Sequence, residues 1–200
     1  MTDAAGWLAA TVAAVDEVNS TDPRSITIGD VTGPQELVMG RRASEWVERL
    51  DEHPSAEQLV AARAHHLRRW ARPRSDYPEG RSGYLRWRAD AKRVHAAELA
   101  EIMTAAGASN DAIETTTSLI LKVHLRTSSD AQVHEDALCL TFLEAQLDHT
   151  ADRLGDDAVV DVLVKTIKKM SPAGLTAASG LALSERGLRL LTTALGHSAE

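Results

Sequence analysis

Two groups of side chains in this sequence have the types and spacing to do chemistry. The first is a series of histidines, His65, His66, His95, His124 and His134, with Asp136 two residues beyond the last. Imidazole and carboxylate are good ligands for divalent first-row metals, and neighbouring helices can bring such ligands together from distant positions. The second is a run of seven arginines between Arg68 and Arg88, interleaved with Trp70, Tyr77, Tyr84 and Trp87. Guanidinium forks match phosphate and carboxylate geometry and stack on aromatic faces. Such a stretch could clamp a phosphate and stack a base. Arg69, Arg72, Arg74, Arg81, Arg88 and Tyr77 are the expected anion-binding residues.

Helical geometry constrains both groups. Adjacent side chains on a helix point about 100° apart, so only one of His65 and His66 is expected to face inward. Arg86 and Arg88 lie about 200° apart, whereas Arg69 and Arg72, or Arg68 and Arg72, can share a face. His134 is expected at the surface because it sits two residues from Asp136, and Glu135 is expected to be exposed. His53, His149 and His197 read as solvent or cap positions. An alternative use of the arginines is an internal ion-pair network with Asp76, Glu79, Asp90 and Glu98. Cation–π contacts to the tryptophans would then be structural.

The elements that must position these residues are helices. The 200 residues suit one domain with a real core. Aromatics are scarce at 4%, and Ala and Leu supply much of the 44% apolar content, which favours close-packed helices over a sheet. The periodicity predicts an N-terminal helix over 4–18, a loop over 19–33 with a short extended piece near 26–28, and a helix over about 34–50. Ser55 with Gln58 three residues later marks a capping box, opening a helix expected to carry both histidines and stop near Arg72–Pro73. A long helix over about 84–106 ends at Gly107, another runs to about 126, and a third passes through Val133 to Leu147. Helices over 156–197 close the chain. No internal repeat or interdomain linker is apparent. The expectation is a single all-α domain of about seven to nine helices.

The net charge of −7 argues against general nucleic-acid binding. One cysteine, Cys139, excludes an internal disulfide and fits a reducing compartment. The apolar N-terminal run is too short to span a bilayer and lacks a basic leader, so a cytoplasmic location with no membrane association is expected.

The order His65-His66, His95, His124, Asp136 resembles that of HD-domain proteins, helical metal-dependent phosphohydrolases with some oxygenase relatives. The resemblance implies an HD-like core over about 34–154 and a divalent metal (Mn, Fe or Zn) held by His66, His95 and Asp136, with His65 and His124 as substitutes or proton carriers. Met39 stands where the first-helix histidine belongs, and a second histidine replaces the aspartate of the His-Asp pair. More closely, "RRASEWVERL", "HLRRW", "PRSDYP", "GYLRWR", "EDALCLTFLE" and "KTIKKMS" resemble domain of unknown function family 4202, over roughly residues 36–175. That resemblance implies a fold more than an activity.

The expected function is metal-dependent hydrolysis of a small phosphorylated or nucleotide-like compound. The alternative is a non-catalytic nucleotide- or anion-binding module, or an interaction protein, derived from the same fold. The expected partner is a small, phosphate-bearing anion, and a homo-oligomer stays open.

Overall fold

The computed structural model describes residues 4–123 and 127–198, and they form one all-α domain. Helices α1 (Ala4–Asn19), α2 (Gln35–Leu50), α3 (Ala56–Ala64), α4 (Gly80–Ala105) and α5 (Asn110–Leu121) make the first part of the chain. Helices α6 (Ser129–Leu154), α7 (Asp156–Ile167), α8 (Pro172–Ser179) and α9 (Glu185–Ser198) complete it. The expected loop over 19–33 contains a two-stranded antiparallel hairpin, β1 (Ser25–Ile28) and β2 (Val31–Pro34), with Ile28 paired to Val31. No helix among the described residues is long and apolar enough to cross a membrane.

Two apolar clusters meet along α3. Val47, Leu140, Leu143, Leu163 and Leu191 centre one, built by α2, α6, α7, α8 and α9. Val15, Leu67, Leu99, Met103 and Ile120 centre the other, which adds α1, α4 and α5. Val60, Ala61, Ala62 and Ala64 of α3 are completely buried between them. Small side chains let neighbouring helices approach from several sides at once. Gly40 of α2 shows how close: a Cβ there would lie 2.4 Å from the carbonyl oxygen of Arg63.

Local signals set the helix boundaries. The Ser55–Gln58 capping box forms as expected: Gln58 N donates to Ser55 Oγ at 3.2 Å, and Ser55 N donates to Gln58 Oε1 at 2.7 Å. Ser109, Ser128 and Ser171 cap α5, α6 and α8 through their hydroxyls. Pro34, which precedes α2, offers no side-chain cap. Asp22 replaces it by accepting from Glu36 N at 3.1 Å, while Arg24 closes both carboxylate oxygens. Burial pushes the Asp22 carboxyl up, but donation from Arg24 and from the Arg24 and Glu36 amides outweighs it and holds the group below its ordinary range.

Helix α3 does not reach Arg72–Pro73 as the sequence suggests. It stops at Ala64, and the chain turns through His65 to Arg68, whose φ of 51° is left-handed, into short 3₁₀ turns at Arg69–Ala71 and Arg74–Asp76. Asn19 of α1 accepts from Arg68 N at 3.1 Å and fixes that turn. The helical-face pairing expected for Arg68 or Arg69 with Arg72 therefore does not apply. Helix α4 begins four residues earlier than expected, at Gly80.

The Gly40 contact gives a direct test of the α2–α3 approach. Gly40→Ala forces two backbones apart and is expected to destabilise the protein by about 1–3 kcal/mol, read as a lower urea midpoint with unchanged slope.

Candidate functional site

The termination of α3 brings together what a continuous helix would have separated. The rings of His65 and His66 lie 4.1 Å apart between centroids, tilted by 37°, rather than on different faces. His95, one of the buried residues of α4, places its ring 6.3 Å from that of His66. His134 of α6 lies within electrostatic reach of His65 and Lys122. It is 1% exposed, which corrects the surface position expected for it. The stripe Ala131, His134, Ala137, Thr141, with spacings of three and four, is buried throughout and was the available signal.

Hydrogen bonds set the proton positions of two of these imidazoles. His65 Nδ1 lies 2.8 Å from the Ala62 carbonyl oxygen, which can only accept, so Nδ1 carries the proton and Nε2 keeps a lone pair. His66 Nδ1 lies 3.1 Å from Glu36 Oε2, and Arg24 Nη2 donates to Glu36 Oε1 at 2.7 Å. With Glu36 as the carboxylate that Arg24 pairs, His66 also presents Nε2. Among the described residues, neither nitrogen of His95 or of His134 has a hydrogen-bond partner. The Leu67 carbonyl exerts a weak pull on His95 without completing a hydrogen bond. Such orphaned buried groups cost about 1–3 kcal/mol each and are rare in native interiors.

Glu36 had no distinguishing signal in the sequence. A glutamate in the first turn of a helix is ordinary, since it favours the positive end of the dipole. Here it is fully buried, and burial pushes its carboxyl upward against the pull of Arg24 and Arg69. Glu135, expected to be exposed, is also buried; Lys122 pairs with it, and Lys169 lies 3.7 Å away.

All four histidines are held neutral. Burial, then repulsion from Arg69 and Lys122, takes His65 down to about 4 despite the Ala62 bond. Burial, then Arg69 and His65, takes His95 down to about 3, and burial with Lys122 takes His134 down to about 3. Burial and the same cations place His66 well below its ordinary range, although 26% of its side chain remains accessible.

Cations rim this cluster. Arg69 stacks its guanidinium 4.4 Å from the Trp87 ring centre and makes no ion pair among the described residues. Burial and repulsion from Arg88 outweigh the attraction of Glu36 and lower it. Lys92 is half-buried and lowered by burial, then by Lys122 and Arg88. Arg72 is close enough to His95 to disfavour its protonation, and the Arg72 carbonyl accepts from Trp87 Nε1 at 2.9 Å. The alternative ion-pair network does not form. Among the described residues, Asp76, Glu79 and Glu98 make no ion pair, and Asp90 pairs with Arg93, outside the run.

The remaining expected residues lie elsewhere. Arg74 donates to the carbonyls of Tyr77, Pro78 and Gly80 at 2.8, 2.7 and 3.3 Å, so it braces its own loop. Tyr77 contributes its backbone to that brace, and Arg81 is exposed in the first turn of α4. Asp136 braces Ser171, the cap of α8: Ser171 N and Oγ donate to it at 2.9 and 2.5 Å, and Gln132 at 3.1 Å. A Cβ on Gly174 would lie 2.6 Å from the Asp136 carboxyl carbon. Among the described residues, no hydrogen bond or ion pair joins Asp136 to His65, His66 or His95. His124 lies outside the described residues.

The donors suit a divalent metal in kind, since His65 and His66 offer Nε2 with Nδ1 held by an outer partner. In number they fall short: among the described residues, no three His, Cys, Asp or Glu side chains are arranged to share one ion. The site is defined by neutral imidazoles beside Arg69 and Lys92, which have no paired acid among the described residues.

An all-α domain with such a site defines the class of this chain. The model of the family described as a domain of unknown function (DUF4202) matches residues 9–191, and the chain belongs to that family. No curated protein and no solved structure matches it.

The buried neutral histidines predict a stability loss in mild acid. Their folded values lie below the unfolded value near 6.5, so between pH 6.5 and 4 the unfolded chain binds protons that the folded one refuses. The stability they permit is complete above pH 6.5 and is lost as pH falls toward 4. Each contributes up to about 1.4 kcal/mol per pH unit, before Asp16 and Asp22 protonate. Urea titrations from pH 7.5 to 4.5 should show this slope, and His134→Leu should reduce it by about one histidine's share. A flat profile would contradict the neutral cluster.

Proposed function

We propose that this protein binds a small phosphate-bearing anion at the rim of the histidine cluster, with Arg69, Arg88 and Lys92 as the principal contacts and Arg72 beside them. The observation that carries this reading is the absence of counter-ions where they would be expected. Arg69 and Lys92 are partly buried and depressed by burial, and no described carboxylate pairs with either or with Arg88. A cation removed from water without a partner is costly, and an arriving phosphate removes that cost. Guanidinium forks supply paired donors to phosphate oxygens, and the lysines add point charges. The neutral imidazoles beneath add no further positive charge and offer lone pairs that can accept from a protonated phosphate or from water.

Isothermal titration with pyrophosphate in the presence of chelator tests the reading. Binding is expected to weaken with added salt, and Lys92→Ala and Arg69→Ala should each weaken it by about 10-fold or more. Absence of binding at millimolar pyrophosphate, or binding unchanged in both variants, would overturn it.

A second reading is favoured by the orphaned nitrogens of His95. In it, the HD-like order reflects a metal-dependent phosphohydrolase, with His66 and His95 holding a divalent ion and His65 beside them. Bound there, the ion would supply an activated water and a polarised phosphoryl oxygen. The paired Glu36 would orient His66, Arg69 would neutralise developing charge, and Asp136 would take no part. Metal analysis after purification without a chelating tag is expected to find about one equivalent of Mn, Fe or Zn under this reading. Loss of that metal in His95→Ala, with retained fold, would support it; a metal-free protein whose melting temperature ignores added metal would remove it.

A further inference from the structure

We propose that the ligand is a nucleotide whose base stacks on Tyr84, a conclusion that rests on the anion site above and names its ligand class. Helix α4 carries Tyr84, Arg88, Lys92 and His95 at successive spacings of four, four and three, so they form one stripe along one face. Each step of four rises about 6 Å, so the stripe runs from an aromatic ring through two cations to the histidine floor within about three turns. That is the order of base, phosphate and reacting end in a nucleotide laid along the helix.

The aromatic end is built as a platform and is not used by the core. Tyr84 is 43% exposed and belongs to none of the apolar clusters, although a large ring on a helix is normally buried. Its centroid lies 5.9 Å from that of Trp87 at an angle of 42°, and the Arg88 guanidinium carbon lies 5.7 Å from the Tyr84 centroid. Trp87 is itself fixed, by Arg69 above its ring and by its bond to the Arg72 carbonyl. Two of the guanidinium groups assigned to the phosphate therefore also position the rings. Neighbouring Leu85 is likewise exposed, leaving an apolar shoulder beside the platform. Arginines that could pair with phosphate lie beside rings that can stack with any base, and the whole chain's net charge of −7 disfavours a long polyanion.

Calorimetry on the full chain with AMP, ribose phosphate and an octa-adenylate RNA separates the possibilities. Wild-type protein is expected to bind AMP about 5- to 100-fold more tightly than ribose phosphate, the range set by stacking one base. In Tyr84→Ala, an exposed site whose loss should leave the fold intact by circular dichroism, the two ligands should bind within about twofold of each other. In Arg88→Ala both should weaken together. Equal affinity for AMP and ribose phosphate in wild type, or an AMP advantage that survives Tyr84→Ala, would overturn the base platform while leaving the anion site standing. Octa-adenylate binding more tightly than AMP would overturn the free-nucleotide assignment. No binding of any of the three would remove the anion site and this inference with it.

Discussion

Helix α3 has no exposed residue and is only nine residues long, and the position of its end governs the rest of the site. Its alanines allow α1, α2, α5 and α6 to close around it, with Gly40 admitting the Arg63 carbonyl and Arg63 reaching Asp16 of α1 at 2.6 Å. Because the helix stops at Ala64, the next residues leave its axis inside the protein rather than at the surface. His65 can then satisfy the Ala62 carbonyl and His66 can turn to Glu36. A further helical turn would have sent these rings in different directions and carried the arginines away from α4. The left-handed Arg68, held by Asn19, completes the redirection and delivers Arg69 to Trp87.

The second constraint is electrostatic. A chain with a net charge of −7 concentrates positive charge at one place and spends its carboxylates elsewhere. Glu144 is taken by Arg42 and Trp46, Asp16 by Arg41 and Arg63, and Asp152 and Asp156 by Arg186. These pairs bind helix to helix, α2 to α6 and α1 to α2 and α3. Glu36 and Glu135 are the buried acids left near the site, and each already has a cation, Arg24 and Lys122 respectively. The rim cations are thus in excess by construction. Positive charge at this density raises the cost of an imidazolium, which is why burial and repulsion act in the same direction on all four histidines.

Helical periodicity, serine caps and Gly107 made most elements readable in advance, because these are local signals with local causes. The hairpin over Ser25–Pro34 was visible only as a short extended piece, since its two strands are four residues long and weakly patterned. The end of α3 was not legible: nothing in "AHHLRRW" breaks a helix, and the turn is imposed by Asn19 and by burial. That single tertiary effect explains two of the errors in the site. His65 and His66 were assigned to separate faces, and the Arg69–Arg72 pairing assumed a helix that is absent. Glu36, Arg24 and Lys92 were missed because their types are common and their meaning lies in contacts 12 to 30 residues distant or more. Asp136 was singled out as a metal ligand; its hydrogen-bond partners among the described residues are Ser171, the cap residue of α8, and Gln132. The family resemblance extended over more of the chain than the quoted motifs, from residue 9 to residue 191.

The stripe on α4 also explains why an aromatic ring, cations and imidazoles occur together. Accessibility falls along it, from exposed Tyr84 and Arg88 through half-buried Lys92 to His95, which is 1% exposed. The strength of a charge interaction rises as water is excluded, so a phosphate bound as proposed would gain more from Lys92 than from Arg88. A group entering along the stripe would therefore meet weak, orienting contacts first and strong, desolvated ones last. Neutral imidazoles at the buried end keep that gradient usable, because protonated ones would add repulsion among the neighbouring cations and destabilise the packing around them. Low proton affinity of the histidines and surplus positive charge beside them are thus two results of one arrangement, the packing of α4 against the turn that follows α3.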